Sequence, residues 1–220
     1  EVVRKQVIKA SKEKKINMII GGPPCQGFAM KGKKLGLADE RNFLFLEYLK
    51  IVEELKPEVF VIENVKRILS SSGGYFKDEI LKYIETLGYK VSYGVLNAKD
   101  FGVPQSRERA FFICCRNRKI ELPEGNGKIV TTREAISDLS YLNSGEGKIE
   151  ADYEIEPTSE YQRMMRANST KLFNHVATNH SEVALRKLSL IPPEKGKSFL
   201  PEDMRGKQQY NTTWCRLIWD

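Results

Sequence analysis

The first half of the chain alternates short apolar runs with amphipathic helical segments, and this alternation constrains the fold more than any other feature. The run INMII ends at a Gly-Gly-Pro-Pro turn, and a second run, VFVI, occupies positions 59 to 62. Between them, apolar residues recur at helical spacing from 42 to 55 and stop before Pro57. A strand, a helix and a strand in this order predict an α/β fold, with a parallel sheet covered by helices.

The pattern continues after the second strand. Residues 76 to 87 place apolar side chains on one helical face, and Gly88 is the expected end of that helix. Two further strands are predicted at about 90 to 97 and 109 to 115, joined by the loop KDFGVPQSRE. The sheet therefore has at least four predicted strands.

Residues 117 to 220 differ in character from the part before them. They begin with a stretch rich in Gly, Asn and Glu, in which a Thr-x-x-Glu capping box at 131 to 134 starts one short helix. Two more helices are predicted near 159 to 166 and 181 to 190. We therefore predict a core domain at 1 to 116, followed by a peripheral excursion and a linker into a second domain.

Composition limits the class of protein. No apolar run approaches the roughly 20 residues that span a bilayer, and the N-terminal segment lacks the apolar core of a signal peptide. We expect a soluble intracellular protein without a membrane partner, cytoplasmic and nucleoid-associated if it is bacterial.

The four cysteines do not form a disulfide pattern, and His175 and His180 lack cysteines at zinc-like spacing, so no metal is expected. The net charge of +7 is compatible with a polyanionic partner.

The motif GGPPCQGF at 21 to 28 places Cys25 directly after a predicted strand. Ligands of open α/β sheets bind beyond the carboxyl ends of the strands, so this thiol is expected to face a crevice. A single loop cysteine is more often structural than catalytic. Here the two prolines before it restrict the backbone, and the glycine two positions later allows a ligand to approach, which favours a positioned nucleophile.

Two further motifs end or begin strands. Glu63 follows four apolar residues, and partial desolvation would favour the neutral carboxyl group that a proton donor needs. Taken alone, it is better explained as a residue that caps a turn or pairs with a lysine. Arg107 and Arg109 are two apart at the start of a strand, so both guanidinium groups can point to one ligand, although a surface pair is the commoner explanation.

Together and in this order, the motifs resemble those of the DNA (cytosine-5)-methyltransferase family. The stretch ERNFLFLEYLKIVEELKP also resembles the helix between the family's first two motifs, and NHVATNHS with IPP resembles its later linker. The match is strongest over about 16 to 115. The family's Pro-Cys-Gln, Glu-Asn-Val and Gln-x-Arg-x-Arg correspond to Pro24, Cys25 and Gln26, to Glu63, Asn64 and Val65, and to Gln105, Arg107 and Arg109.

The resemblance implies a Rossmann-like S-adenosylmethionine-dependent sheet with helices on both faces, incomplete at its N-terminus. It implies that Cys25 attacks carbon 6 of a flipped cytosine, Glu63 protonates or hydrogen-bonds ring N3, and Arg109 contacts O2, before carbon 5 is methylated. Arg107 would support the same pocket, and Asn64 would orient the Pro-Cys loop. The implied substrate-binding residues are Gln26, Asn64 and Gln105, and the implied cofactor contacts are Pro24 and Leu44.

The resemblance also implies partners. The substrate is expected to be double-stranded DNA, and a restriction endonuclease is a possible partner. The resemblance leads us to expect a glycine-rich cofactor turn before the nucleophile strand, which these 220 residues do not contain. It also leads us to expect that most of a target-recognition domain would follow the position of Asp220. We therefore expect weak binding of S-adenosylmethionine by this chain alone and a complementary fragment or subunit that supplies the missing motif.

Two alternatives remain open from the sequence. The same motifs serve enzymes that methylate cytosine in transfer RNA, and activity on DNA against RNA oligonucleotides would separate the two substrates. A non-enzymatic alternative is an inactive methyltransferase fragment that acts as a binding partner. Covalent trapping by an oligonucleotide that carries 5-fluorocytosine would distinguish it from an enzyme.

Overall fold

A computed structural model of the chain describes residues 2–11, 14–24, 44–193 and 195–205. The chain divides after Lys128 into two compact units. The predicted domain boundary at 116 falls inside the first unit, because residues 117–128 still belong to it. In the described residues, no helix is long and apolar enough to cross a membrane.

The first unit contains three helices and four strands in its described part. The regular elements in chain order are α1 (Val2–Ser11), β1 (Met18–Gly21), α2 (Leu44–Leu55), β2 (Val59–Val65), α3 (Tyr75–Thr86), β3 (Lys90–Asn97) and β4 (Glu108–Cys115). Short 3-10 turns follow β2 and β3, at Lys66–Leu69, Ser71–Gly74 and Ala98–Phe101.

The strands form one mixed sheet in the order β1-β2-β4-β3. β1 and β2 are parallel, with Gly21 opposite Ile62, as the strand-helix-strand pattern predicted. β4 runs antiparallel to both of its neighbours, so the prediction of a parallel sheet is wrong for this half. The reason is the connection: a loop of ten residues between β3 and β4 returns the chain beside β3, whereas a parallel crossover needs a dozen or more residues. The α/β fold class is confirmed.

The core lies on one face of this sheet. Alternate residues of β2 and β4 are buried there, and the apolar stripes of α2 and α3 pack against them. The buried faces of α2 and α3 are the ones that the apolar spacing predicted. Gly88 follows α3 in the left-handed conformation, with φ 76°, as expected of a residue that ends a helix. The largest fully buried side chains of this cluster are Phe45, Leu49, Phe60, Ile62, Ile68, Phe76, Ile80, Ile84 and Phe112.

β1 is less buried than its sequence predicted. Among the described strands it pairs with β2 alone, and Met18 and Ile20 are 54% and 71% exposed. The run INMII was predicted as a buried strand, but only the side of Ile19 packs on the core. The apolar side chains on the other side of β1 therefore face outward along an open edge.

The second unit, residues 129–220, is smaller than the first. Both Thr131 and Ser159 form capping boxes, with Glu134 and Gln162 as their partners, and the first of these was predicted. The Arg166 guanidinium pairs with the buried Asp138 carboxylate at 2.8 Å and lies over the Tyr153 ring. Its regular elements are α4 (Thr132–Ile136), β5 (Gly147–Ala151), α5 (Glu160–Arg166), β6 (Leu172–Val176), α6 (Glu182–Ser189) and α7 (Glu202–Arg205), with β5 and β6 antiparallel.

Burial raises the pKa of the Cys114 thiol in β4, so the folded protein holds this group neutral. The unfolded chain ionises it at its ordinary value, so its stabilising contribution is complete below that value and is lost as the pH rises toward the folded pKa. We expect the free energy of unfolding to fall by about 1 kcal/mol between pH 7.5 and 9.5 from this group. Urea unfolding at the two pH values measures the loss, and Cys114→Val should remove it. An equal loss in the variant would contradict the assignment.

Candidate active site

Polar side chains gather where β2 ends, at the carboxyl end of the parallel pair. The strand continues through Glu63, Asn64 and Val65, three residues beyond the predicted apolar run. Alternation along the strand turns Asn64 toward the buried core side and Glu63 toward the opposite, more open side. A single strand end thus presents a carboxylate on one face and an amide on the other.

The Glu63 carboxylate pairs with the Arg109 guanidinium, with 3.0 Å between Oε1 and Nε. The pairing of β2 with antiparallel β4 explains the contact, because Val65 lies opposite Arg109 and so brings Glu63 one diagonal step away. The two side chains are 34% and 25% exposed, which leaves them accessible to a ligand. Glu63 is therefore partly buried, and its ion-pair partner is Arg109.

The turn that follows β1 lies against the same two residues. Asn64 donates from Nδ2 to the Pro23 carbonyl at 2.8 Å, and this bond is buried. A Cβ placed on Gly22 would lie 3.2 Å from Glu63 Oε2, so the missing side chain lets backbone and carboxylate approach closely. Cys25 and Gln26 lie outside the described residues. The described residues just before them, Gly22 and Pro23, contact Glu63 and Asn64.

A groove of about 470 Å³ opens on the face of the sheet opposite α2 and α3. Its floor is apolar and comes from β2, β3 and β4, with Glu63, Arg107 and Arg109 at its rim. The predicted convergence of the two arginines on one ligand space is therefore geometrically possible, although only Arg109 pairs with Glu63. The apolar side chains in its lining are Val61, Leu96, Ala98, Phe101, Phe111, Ile113 and Pro123.

The remaining predicted residues lie around this centre. Pro24 is exposed after β1, and Leu44 is exposed at the first turn of α2. Gln105 is exposed in the loop before β4 and does not line the groove. The structure thus places Glu63, Arg107 and Arg109 along one groove. Asn64 lies on the other face of β2, where it holds the Pro23 carbonyl, and Gln105 lies outside the groove.

Two features near the site were not predicted. Lys66 and Glu108 form a second ion pair just beyond the end of β2, and the hydroxyl of Tyr48 reaches the main chains of both β1 and β2. The sequence indicated Tyr48 only as part of an apolar helical stripe. Helical spacing predicts the face of α2 on which Tyr48 lies, but it does not predict which groups the phenol hydroxyl contacts.

Comparisons with known proteins show the family to which the chain is similar. The family described as C-5 cytosine-specific DNA methylase matches residues 2–212. Type II methyltransferase M.DdeI of Desulfomicrobium norvegicum is 41% identical over 187 residues, covering 80% of this chain and 45% of that protein. Type II methyltransferase M1.HphI of Haemophilus parahaemolyticus is 37% identical over 196 residues, covering 87% and 47%. The chain thus spans about half the length of the curated relatives it matches.

A solved structure supports the fold independently of sequence. The crystal structure of a prophage-encoded protein of E. coli, described as a DNA modification methyltransferase, superposes with a TM-score of 0.69 at 18% identity. The match covers 96% of this chain and 65% of that one. At this identity the likeness concerns the fold alone.

Proposed function

Because this chain belongs to the C-5 cytosine-specific DNA methylase family, we propose that it is the central part of an enzyme that methylates carbon 5 of cytosine in DNA. The single observation that carries the proposal is the Glu63–Arg109 pair beside the Pro23 turn. Glu63 at the end of β2 can give a proton to a planar polar ring or accept a hydrogen bond from it. Arg109 in the neighbouring strand β4 can donate hydrogen bonds to the same ring. The residue two positions after Pro23 is a cysteine.

Cys25 is the proposed nucleophile. Its thiolate adds to carbon 6 of cytosine, which places electron density on carbon 5, while Glu63 protonates or hydrogen-bonds N3 and Arg109 hydrogen-bonds O2. Carbon 5 then takes a methyl group from the donor. Solvent water accepts the proton of carbon 5, its electron pair forms the carbon 5–carbon 6 double bond again and expels the Cys25 thiolate, and N3 returns any proton it received to Glu63. Arg107 at the groove rim supports the same pocket or a nearby phosphate, and Gln26 and Gln105 contact the substrate.

The methyl donor proposed for this enzyme is S-adenosylmethionine, which supplies an electrophilic methyl group. Pro24 and Leu44 are exposed at the carboxyl end of β1 and at the start of α2, where open α/β sheets bind their ligands. An exposed proline and leucine fit an apolar part of such a molecule. These two residues would hold only one side of it, so further contacts must come from other segments.

We propose that the other segments belong to the rest of a methylase domain, in the same protein or in a complementary subunit. The chain spans about half of its relatives, and in the described sheet β1 has an open edge with Met18 and Ile20 exposed. Main-chain groups on such an edge accept a further strand, and helices usually cover both faces of a sheet with parallel strands. The open edge of β1 is the surface that these further segments would cover.

The proposed substrate is duplex DNA from which the target base is extruded. A stacked base cannot reach a thiol and a carboxylate at once, so flipping precedes chemistry and costs a few kcal/mol. The net charge of +7 favours a polyanion. The type II names of the relatives M.DdeI and M1.HphI suggest that methylation here protects DNA from a partner restriction endonuclease.

Methyl transfer to nucleic acid tests the proposal. The complete enzyme, incubated with S-adenosylmethionine that carries a radioactive methyl group, should label duplex DNA at carbon 5 of cytosine and leave transfer RNA unlabelled. DNA whose target cytosines already carry the methyl group is the matched control and should stay unlabelled. Label in transfer RNA alone would establish the RNA alternative, and binding without label in either would establish an inactive protein.

A further inference from the structure

Tyr48 in α2 connects the two parallel strands through main-chain carbonyls that precede their carboxyl ends. Its ring packs against the core beside Phe60, with 6.3 Å between the ring centroids. Its hydroxyl lies 2.9 Å from the Val61 carbonyl oxygen and 3.2 Å from the Ile19 carbonyl oxygen. A phenol has one proton to donate, so the two carbonyls share it. One side chain thereby ties the main chain of β1 to that of β2.

Gly21 makes this contact possible. A Cβ on Gly21 would overlap the Tyr48 ring, so the ring occupies the space that a side chain would need. The aromatic face is therefore in direct contact with the last residue of β1. Any movement of the ring would be transmitted to the turn that begins there.

Both tied strands lead directly to the proposed reacting groups. Val61 is two residues before Glu63, and Gly21 is four residues before Cys25. Further along, Asn64 holds the Pro23 carbonyl. We propose that Tyr48 is a positioning residue for the methyl-transfer reaction, because its hydroxyl fixes the spacing between the strand that leads to Cys25 and the strand that carries Glu63. This inference rests on the proposed function.

The donor role is kept at ordinary pH. Burial, the largest cause, and the nearby Cys114 raise the pKa of Tyr48, so the phenol remains protonated and able to donate. Its effect on chemistry would be geometric, since a misplacement of about 1 Å between reacting groups can cost about 100-fold in rate. Loss of this shared hydrogen bond loosens the spacing between β1 and β2 without removing either reacting group.

Tyr48→Phe tests the proposal, because it keeps the ring against Gly21 and removes only the hydroxyl. In the complete enzyme, the rate at which a duplex with 5-fluorocytosine forms a covalent adduct at Cys25 should fall roughly tenfold, and kcat for normal DNA should fall with it. The KM for DNA should stay within about twofold, since the hydroxyl is proposed to act on the chemical step alone. The same assays on unaltered enzyme give the reference.

Tyr89→Phe is the matched control. The Tyr89 hydroxyl also donates to a main-chain carbonyl, that of Pro57 at 2.5 Å, which precedes the amino end of β2. Both variants should lose stability in urea, whereas only Tyr48→Phe should slow the adduct. Equal adduct rates in the two variants, or a change in KM alone, would overturn the positioning role while the proposed function stands. Failure of the unaltered enzyme to form an adduct would overturn both.

Discussion

Replacement of Cys25 by serine is expected to abolish the covalent adduct with DNA that contains 5-fluorocytosine and to lower methyl transfer by at least about 10⁴-fold, which is the scale seen when an enzyme loses its nucleophile. The loss is expected because serine cannot supply the thiolate that attacks carbon 6. A cysteine ionises partly near neutral pH and is intrinsically very nucleophilic, whereas a serine hydroxyl needs an adjacent base to become reactive. Denaturing electrophoresis of enzyme and labelled DNA measures the adduct, and radioactive methyl incorporation measures turnover.

Cys115→Ser is the control for this experiment. Cys115 lies in β4 and is buried, so the same change of sulfur to oxygen occurs in the same protein away from the turn after β1. It should cost stability, because a buried hydroxyl needs a hydrogen-bond partner, but it should leave the adduct intact. Adduct formation by Cys25→Ser, or its loss in Cys115→Ser while the protein remains folded, would show that Cys25 is not the nucleophile.

The sequence predicted the elements around the site better than their pairing. The helical stripe before Pro57 and the left-handed stop at Gly88 both follow from local rules, and both are found. The orientation of β4 did not follow, because strand direction depends on how the loop returns and not on the residues within the strand. The pairing of β5 with β6 was also missed, because 20 residues separate the two strands and no tight turn joins them.

The site itself was predictable in position and less so in chemistry. Glu63 and Asn64 were expected at a strand end, and they lie there beside the Pro23 turn. The ion pair of Glu63 with Arg109 depends on cross-strand register, which becomes known only when β4 is placed antiparallel. The roles assigned to these residues stay predictions, and experiments on Glu63 address the most consequential of them.

Glu63→Gln is expected to lower kcat for DNA methylation by roughly 10² to 10³-fold, within the range that a positioned acid or base contributes. The amide keeps the size of the side chain and can still hydrogen-bond, but it cannot deliver a proton to N3. Stability should change little, since a partly exposed ion pair such as Glu63–Arg109 contributes no more than about 1 kcal/mol. Steady-state kinetics and urea unfolding measure the two effects on one preparation.

Glu108→Gln is the control that distinguishes the loss of a catalytic group from the loss of a negative charge near the site. Glu108 pairs with Lys66 near the same end of the sheet, and the two side chains are at least as exposed as those of the Glu63 pair. The change removes the same negative charge from the same region, so any general effect on DNA attraction appears in both variants, mainly as a change in KM. Only Glu63→Gln should reduce kcat strongly. If both variants lost kcat to the same degree, the effect would come from the electrostatic field of the region, and Glu63 would have no special role in activating the base.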